Sequence, residues 1–487
     1  MTVKLRKCIR HGRLNAGFRR RVCIEMFDRP GSRADMHRQR RDFVGSAGQG
    51  KGHVFGDTHY IVEPRARQHG ACPVDVAQRK RAGGIGIRFW RRAQFGLGDL
   101  RGQVGSTRLG AERLIALSDE YGVDTLVEAM QSLIDRTRDR LRAEIASWPD
   151  GEAEAEGYMD HDGADLNTPV KIHVRTIKQG DRLTIDFSGS DPQTKGPINT
   201  PAQTCRAVSL LATIAASDPT IPVNAGAFGA LDFVLPDGKV VSPTFPATVN
   251  HYFPTSHLAY ACVVAALGKL NPSRAVAPPG LGNGAIAIGY KEGRNGKPTV
   301  QYELMVTSLG GTAEHDGTPM VMGMCHFTPS TPVEIVETEY PIRIRKFDIW
   351  EDSAGAGRTR GGIGFVREYE MLSDVMLTAR TANHEQPGWG VAGGEGPPVC
   401  VTMINPDGAD AIELAALDTR EIAAGTVVRL QQTGGSGYGD PFERDAARVL
   451  RDVLDGYLSA GAAQDKYGVE IVEGRVDKAA TALRRKR

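Results

Sequence analysis

The sequence predicts an α+β protein, with a large body rich in mixed or antiparallel sheet and helices flanking it. Three observations point there. Glycine (58) and proline (27) are abundant among 487 residues, which favours many short strands and tight turns over a helical bundle. Several segments alternate apolar and polar residues with a period of two. Others carry an apolar stripe at helical spacing, on either side of the strand-rich stretch.

In chain order, two helices are expected over 98–121 and 124–147. Asp124 is placed to cap the second, and Leu126, Met130, Leu133, Ile134, Leu141 and Ile145 form its apolar stripe. Gly122 between them suits the residue just past a helix end. Strand character begins near 158. Val170, Ile172 and Val174 alternate with polar residues, as do Leu183, Ile185 and Phe187, and Gln179-Gly180-Asp181 reads as the hairpin turn between them. Buried helices are expected over 203–216 and 255–269, and strands with glycine turns from 299 to about 437. Asp440-Pro441 signals a helix start, with Val449, Leu450, Val453 and Leu454 on its buried side. A short helix from Ser459 completes a C-terminal helical motif over 438–472. A basic tail, 473–487, is expected to be disordered from about 476.

The net charge of +2 conceals an asymmetry: residues 1–97 hold roughly 22 Lys and Arg against roughly 7 Asp and Glu. This leader shows neither helical nor strand periodicity, so burial cannot repay its ordering entropy. A nucleic-acid-binding arm is the functional reading of such charge. Its aromatic residues are few and not spaced as a stacking platform, so neither a nucleic-acid nor a membrane partner is expected. No apolar run approaches the ~18 residues that cross a bilayer. Seven cysteines without CxxC spacing suggest free thiols in a reducing compartment, hence a cytoplasmic protein.

Generic catalytic signatures are missing. No GxxxxGK[ST], HExxH or GxSxG occurs, and Gly280-Leu281-Gly282-Asn283-Gly284 lacks the spacing of a phosphate loop. Asp160-His161-Asp162 sets two carboxylates around an imidazole and could ligate a metal, although a solvated turn is the favoured reading. His251 and His257 flank an aromatic turn, and His257 reads as a core histidine rather than a general base. The best local candidate for binding a small-molecule substrate is the stretch 308–317. There Gly310 and Gly311 allow close backbone approach, and Glu314, His315 and Asp316 supply acid–base groups, unless the stretch is simply a polar loop tip. Downstream, Arg358 and Arg360 could clamp a carboxylate or phosphate; glycine turns at a sheet corner would leave the same trace.

Six ordered segments are similar to one family: GDLRGQVGSTRLGAERL (98–114), GPINTP (196–201), DPTIPVNAGAF (218–228), TPVEIVETEYPIRI (331–344), DSAGAGRTRGGIG (352–364) and GGSGYGDPFERDAARVLRDVLDGYLS (434–459). Over about residues 98–472 the chain resembles the hydantoinase B/oxoprolinase family, which includes the related acetone carboxylase subunit. The resemblance implies a B-type subunit of an ATP-dependent amidohydrolase that opens a cyclic amide such as hydantoin or 5-oxoproline. ATP would be used by a partner A-type subunit, which phosphorylates the substrate and makes its carbonyl carbon attackable by water. A carboxylase-type subunit acting on a ketone is the other branch.

The resemblance also implies a divalent metal held by an N-D-P-Y-x-G-G-T-H stretch and an H-H-x-D segment upstream of residue 98. Here that region holds only Gly56-Asp57-Thr58-His59-Tyr60, with His53 and His69 lacking the partner spacing, so no metal ligand is assigned. A leader without pattern joined to a patterned body is what a frame error in the coding sequence, or a divergent replacement, would give. An inactive structural or regulatory homologue without that metal site is therefore the alternative expectation.

Overall fold

In a computed structural model the protein is described over residues 86–321 and 330–486. The leader's other residues, with Asp57, His59, His53 and His69, lie outside the described residues. The chain divides into two units, Met1–Leu133 and Ile134–Arg487.

In the first unit, α1 (Gly86–Tyr121) starts upstream of the boundary expected at residue 98 and runs through it. Gly122 ends it with φ of 80°, a conformation glycine adopts without steric cost. Then α2 (Val123–Ala146) begins one residue before the expected cap, so Asp124 sits inside the first turn, where its charge complements the helix dipole. The stripe of α2 divides: Leu141 and Ile145 are fully buried, while Met130 and Leu133 are 44% and 55% exposed. Gly105, within α1, has open space where a methyl group would project. Gly105→Ala should therefore stabilise this helix by about 0.5–1 kcal/mol through helix propensity, readable as a higher denaturation midpoint.

The second unit opens with β1 (Gly151–Met159), β2 (Val170–Gln179) and β3 (Arg182–Asp186), a meander whose β2–β3 turn is Gly180-Asp181 as expected. After α3 (Ala202–Ala215) and the single turn α4 (Ala225–Phe228), β4 (Leu231–Val234) joins β3 in parallel, giving the order β1-β2-β3-β4. The helix α5 (Phe253–Leu270), with Pro254 in its first turn, is apolar on all sides and buried along almost its whole length. Ile172, Val174, Leu183, Ile185 and Phe187 form one core with α3 and α5. Burial of these side chains at ~1.5–3 kcal/mol each is the main stabilising term here. At Gly157 of β1, a methyl group would lie 2.6 Å from Leu258 and 3.1 Å from Trp389. Gly157→Ala should cost about 1–3 kcal/mol as overpacking, measured by denaturant unfolding.

Two further sheets share a second core. One comprises β5 (Gly284–Tyr290), β6 (Thr299–Met305), β9 (Val375–Arg380) and β12 (Leu417–Ile422), in the order β12-β9-β5-β6. The other, β11-β10-β13-β8-β7, follows the short helix α6 (Val333–Glu339). It contains β7 (Ile342–Ile349), β8 (Phe365–Met371), β10 (Val401–Ile404), β11 (Ile412–Glu413) and β13 (Val427–Gln432). Ile286, Ile288, Leu377, Tyr369, Val428 and Leu430 meet between them. Period-two alternation in these strands matches their buried and solvated faces. The class is α+β, as the composition and patterning predict.

At the C-terminus, Asp440-Pro441 starts only a 3₁₀ turn. The helix proper, α7 (Ala446–Leu454), is capped by Asp445, whose carboxylate accepts from Ala447 N and Arg448 N. Ser459 caps α8 (Ala460–Tyr467), which ends at Gly468 in the left-handed region. The expected disordered tail is instead ordered. A hairpin of β14 (Ile471–Val472) and β15 (Arg475–Val476) leads into α9 (Lys478–Arg484), capped by Asp477. Arg485 beyond it donates to the carbonyls of Tyr467 and Arg444, so hydrogen bonds hold what composition alone suggested was loose.

Candidate functional site

The strand β1 delivers Asp160, His161 and Asp162 directly from its end. All three are buried, which corrects the expectation of a solvated turn. A buried carboxylate must be hydrogen-bonded, and both are. Asp160 accepts from the backbone N–H groups of His384 (2.9 Å), Glu385 (3.0 Å) and Gln386 (3.0 Å). Asp162 accepts from Ala164 (2.7 Å), Asp165 (2.7 Å) and Gly196 (2.9 Å). Burial opposes the charge on Asp162, but the bonds from Asp165, Gly196 and Ala164 outweigh it and hold its pKa below the ordinary carboxylate range. Gly196 is required there, since a methyl group would fall 1.7 Å from the Asp162 carbonyl oxygen.

His161 accepts at Nδ1 from Gly163 N–H at 3.1 Å, so its proton lies on Nε2. That Nε2–H is buried and has no hydrogen-bond partner among the described residues. The Gly196-Pro197 turn that holds Asp162 also accepts the backbone N–H of His251, at Pro197 O (2.8 Å). His251 is buried, its Nε2 likewise has no partner among the described residues, and its ring bonds the Thr381 backbone. Desolvation, aided by the nearby Arg380 charge, pushes its pKa down to about 4. His251 is therefore neutral near pH 7. With Nδ1–H directed to the Thr381 carbonyl, its Nε2 carries a lone pair.

Thr381 also meets the third imidazole, its hydroxyl lying 2.9 Å from His384 Nε2, while His384 Nδ1 lies 3.2 Å from Leu414 O. Burial lowers the His384 pKa too, against the pull of Asp160. Its neighbour Asn383 has φ of 63°, a left-handed conformation that asparagine tolerates better than most residues. Arg380 closes the group by donating to Asn250 O (2.9 Å) and Oδ1 (2.6 Å). The result is a buried donor on His161 and a buried acceptor on His251, anchored through one turn.

Because His251 is more acidic folded than unfolded, the unfolded chain binds the extra proton first as pH falls. The stability associated with its neutral burial is complete above about pH 6.5 and is lost as pH falls from there through 4. A His251→Gln variant should show a shallower fall in unfolding free energy over that range. An unchanged slope would contradict the assignment.

The residues singled out in 308–317 and 352–362 occupy a different region. Methyl groups at Gly310 and Gly311 would meet backbone oxygens of Ala277 (2.1 Å) and Thr359 (2.7 Å), so these glycines pack against other chain segments. His315 and Glu314 stand in solvent. Asp316 is clamped by Arg444 (2.7 Å) and Arg448 (2.7 Å); Arg444 also binds Asp452 (2.7 Å), and Arg360 pairs with Asp452 at 3.1 Å. Arg358 donates to Ala313 O and lies 3.8 Å from Glu443. The structure thus joins Asp316 and Arg360 through a buried ion network and leaves His315 outside it. That network ties three glycine-rich segments to α7.

Sequence reasoning flagged Asp160–Asp162 and His251 separately and missed His384 and Arg380. Asp160 and His384 N are 224 residues apart, and no local spacing encodes their contact. As for the expected divalent metal, each carboxylate here already accepts three backbone N–H bonds. Among the described residues no group of three or more His, Cys, Asp or Glu is disposed to hold an ion. These residues do not fit a metal, and no chemistry is routed through one.

The hydantoinase B/oxoprolinase family model matches residues 67–441, beginning inside the segment expected to lie outside the family. A protein of Pseudomonas sp. (strain NS671), named as the B-type subunit of a D-/L-hydantoinase, is 30% identical over 396 residues, covering 79% of this chain and 66% of its own length. The beta subunit of the caprolactamase of Pseudomonas jessenii is 29% identical over 404 residues, covering 80% and 68%. The crystal structure of the ATP-dependent caprolactamase from Pseudomonas jessenii superposes with a TM-score of 0.75 at 27% identity, over 86% of this chain and 73% of that one. The chain thus spans about two thirds of the length of the curated relatives it matches. With the family model matched over most of its length and the fold shared, this chain belongs to the hydantoinase B/oxoprolinase family.

Proposed function

We propose that this chain is the B-type subunit of an ATP-dependent amidohydrolase opening a cyclic amide such as hydantoin or 5-oxoproline, with ATP used by a partner A-type subunit. The observation that carries the reading is the pair of buried imidazole nitrogens of opposite hydrogen-bonding sense, His161 Nε2–H and His251 Nε2. An amide presents a complementary acceptor and donor, and a buried polar pair discriminates strongly against ligands that cannot satisfy both.

The chemical logic is a division of labour. The partner transfers the terminal phosphoryl of ATP to the amide oxygen. This turns a poor leaving group into phosphate and makes the ring carbon electrophilic. Water then adds to that carbon. His251 Nε2, neutral at working pH, accepts the proton from water, and His161 Nε2–H donates a hydrogen bond to the substrate oxygen. Relatives named as hydantoinase and caprolactamase subunits support an amide substrate.

The experiment is co-purification with an A-type subunit, followed by assay of the complex with ATP on hydantoin and 5-oxoproline. Ring-opened product formed only with both subunits and ATP is the expected outcome. Carboxylation of a ketone such as acetone in bicarbonate, without amide hydrolysis, would move the chain to the carboxylase branch. A stable complex inert toward every substrate would make it a structural or regulatory homologue.

A further inference from the structure

A cavity of about 430 Å³ opens elsewhere in the second unit, between β1, the C-terminal half of α5 and the loop after Gly388. Its size falls in the range of small-molecule sites, which are mostly apolar with a few convergent polar groups. Trp389 and Tyr438 supply aromatic walls, and Val264 and Ala275 supply aliphatic ones. The space exists because small residues line it: Gly157 lets the Trp389 indole lie against β1, and Gly268 lets α5 approach Ala275, where a methyl group would come within 3.1 Å.

One cation stands at this cavity. Lys269 Nζ donates to the Glu154 carbonyl at 2.7 Å, which anchors the ammonium and leaves two donors. Among the described residues no carboxylate lies within ion-pair distance of it. The Glu156 carboxylate, also on the lining, instead accepts from the Tyr158 hydroxyl at 3.1 Å, and Glu154 pairs with His173 and Arg175. An anchored, uncompensated ammonium beside two aromatic walls suits a ring stacked on Trp389 with a carboxylate directed to Lys269.

We infer that the Trp389–Tyr438 cavity is a second ligand site, taking a small aromatic carboxylate whose anion binds Lys269. This goes beyond the amide-opening reading and uses none of its residues, so either can fail alone. The test is titration calorimetry of the full chain with phenylacetate, 2-phenylethanol and phenethylamine. Saturable binding of phenylacetate is expected, about tenfold or more tighter than the neutral alcohol, with no binding of the amine. Lys269→Met, at an exposed position, should weaken phenylacetate by about the same factor while leaving the alcohol unchanged. Trp389→Leu should weaken both, with unfolding curves checking that the variant is folded. The inference is overturned if phenylacetate shows no saturable binding at millimolar concentration. It is equally overturned if the amine binds as well as the acid, or if Lys269→Met binds phenylacetate like the parent chain.

Discussion

Replacing Arg444 with methionine is expected to lower the unfolding free energy by about 3–5 kcal/mol, the cost of breaking a buried ion pair by removing one partner. Arg444 is 1% exposed and is the shared cation of Asp316 and Asp452. Its removal leaves Asp452, itself buried, with Arg360 alone, and leaves Asp316 with the exposed Arg448. Methionine keeps much of the aliphatic stem, so most of the effect is electrostatic rather than a cavity. Denaturant unfolding of the full chain measures it. A loss under about 1 kcal/mol would place the network with ordinary surface pairs.

The same network sets an acid limit. Burial disfavours the Asp316 charge, but its bond to Arg444, reinforced by Arg360 and Arg448, keeps its pKa below the ordinary carboxylate value. A carboxylate more acidic in the folded state contributes stability that is present above its unfolded pKa, near ~3.9, and is lost as pH falls through the folded value. The parent chain should therefore lose stability below about pH 4, and Arg444→Met should lose less over that interval because Asp316 and Asp452 then protonate more readily.

The second large effect concerns turnover. In a complex with the A-type subunit, His251→Gln should reduce ring opening by about 10²–10⁴-fold, the usual contribution of a general base, while partner binding persists. Glutamine keeps a polar group of similar reach but supplies no basic nitrogen. Because burial and Arg380 hold the His251 pKa to about 4, the parent rate should show no loss from this residue between about pH 5 and 8. His161→Phe should impair substrate binding, raising KM more than it lowers kcat, because the lost group is a hydrogen-bond donor rather than a base. Equal kcat for the His251→Gln and parent complexes would remove His251 from the chemistry.

Much of the fold could be read from residue patterns. Val170 to Phe187 announced two strands and their turn because alternation of β-branched residues is a local signal, and α5 announced itself by an unbroken apolar run. The strand β1 did not. Its GEAEAEGYM composition is poor in β-branched residues, and its pairing with β2 is dictated by tertiary context. Asp440-Pro441 misplaced α7 by one turn because Asp445 supplies an equally good cap.

The glycine-rich segments that carried the resemblance turn out to interlock with one another: Gly435 N bonds Gly362 O, and Gly311 N bonds Ser436 O. Their glycines answer to backbone crowding, a reason indistinguishable in sequence from close approach to a ligand. The histidine site was illegible for another cause. Asp160–Asp162, His251 and His384 come from three distant segments, and polar residues in that pattern are ordinarily solvated.

The most direct test is to count ADP and ring-opened product together, using purified chain, purified A-type partner, and the two combined with ATP and hydantoin or 5-oxoproline. Product is expected only from the combined polypeptides, with at least one ADP formed per ring opened. Ring opening by either polypeptide alone, or by the pair without nucleotide, would contradict the division of labour between them.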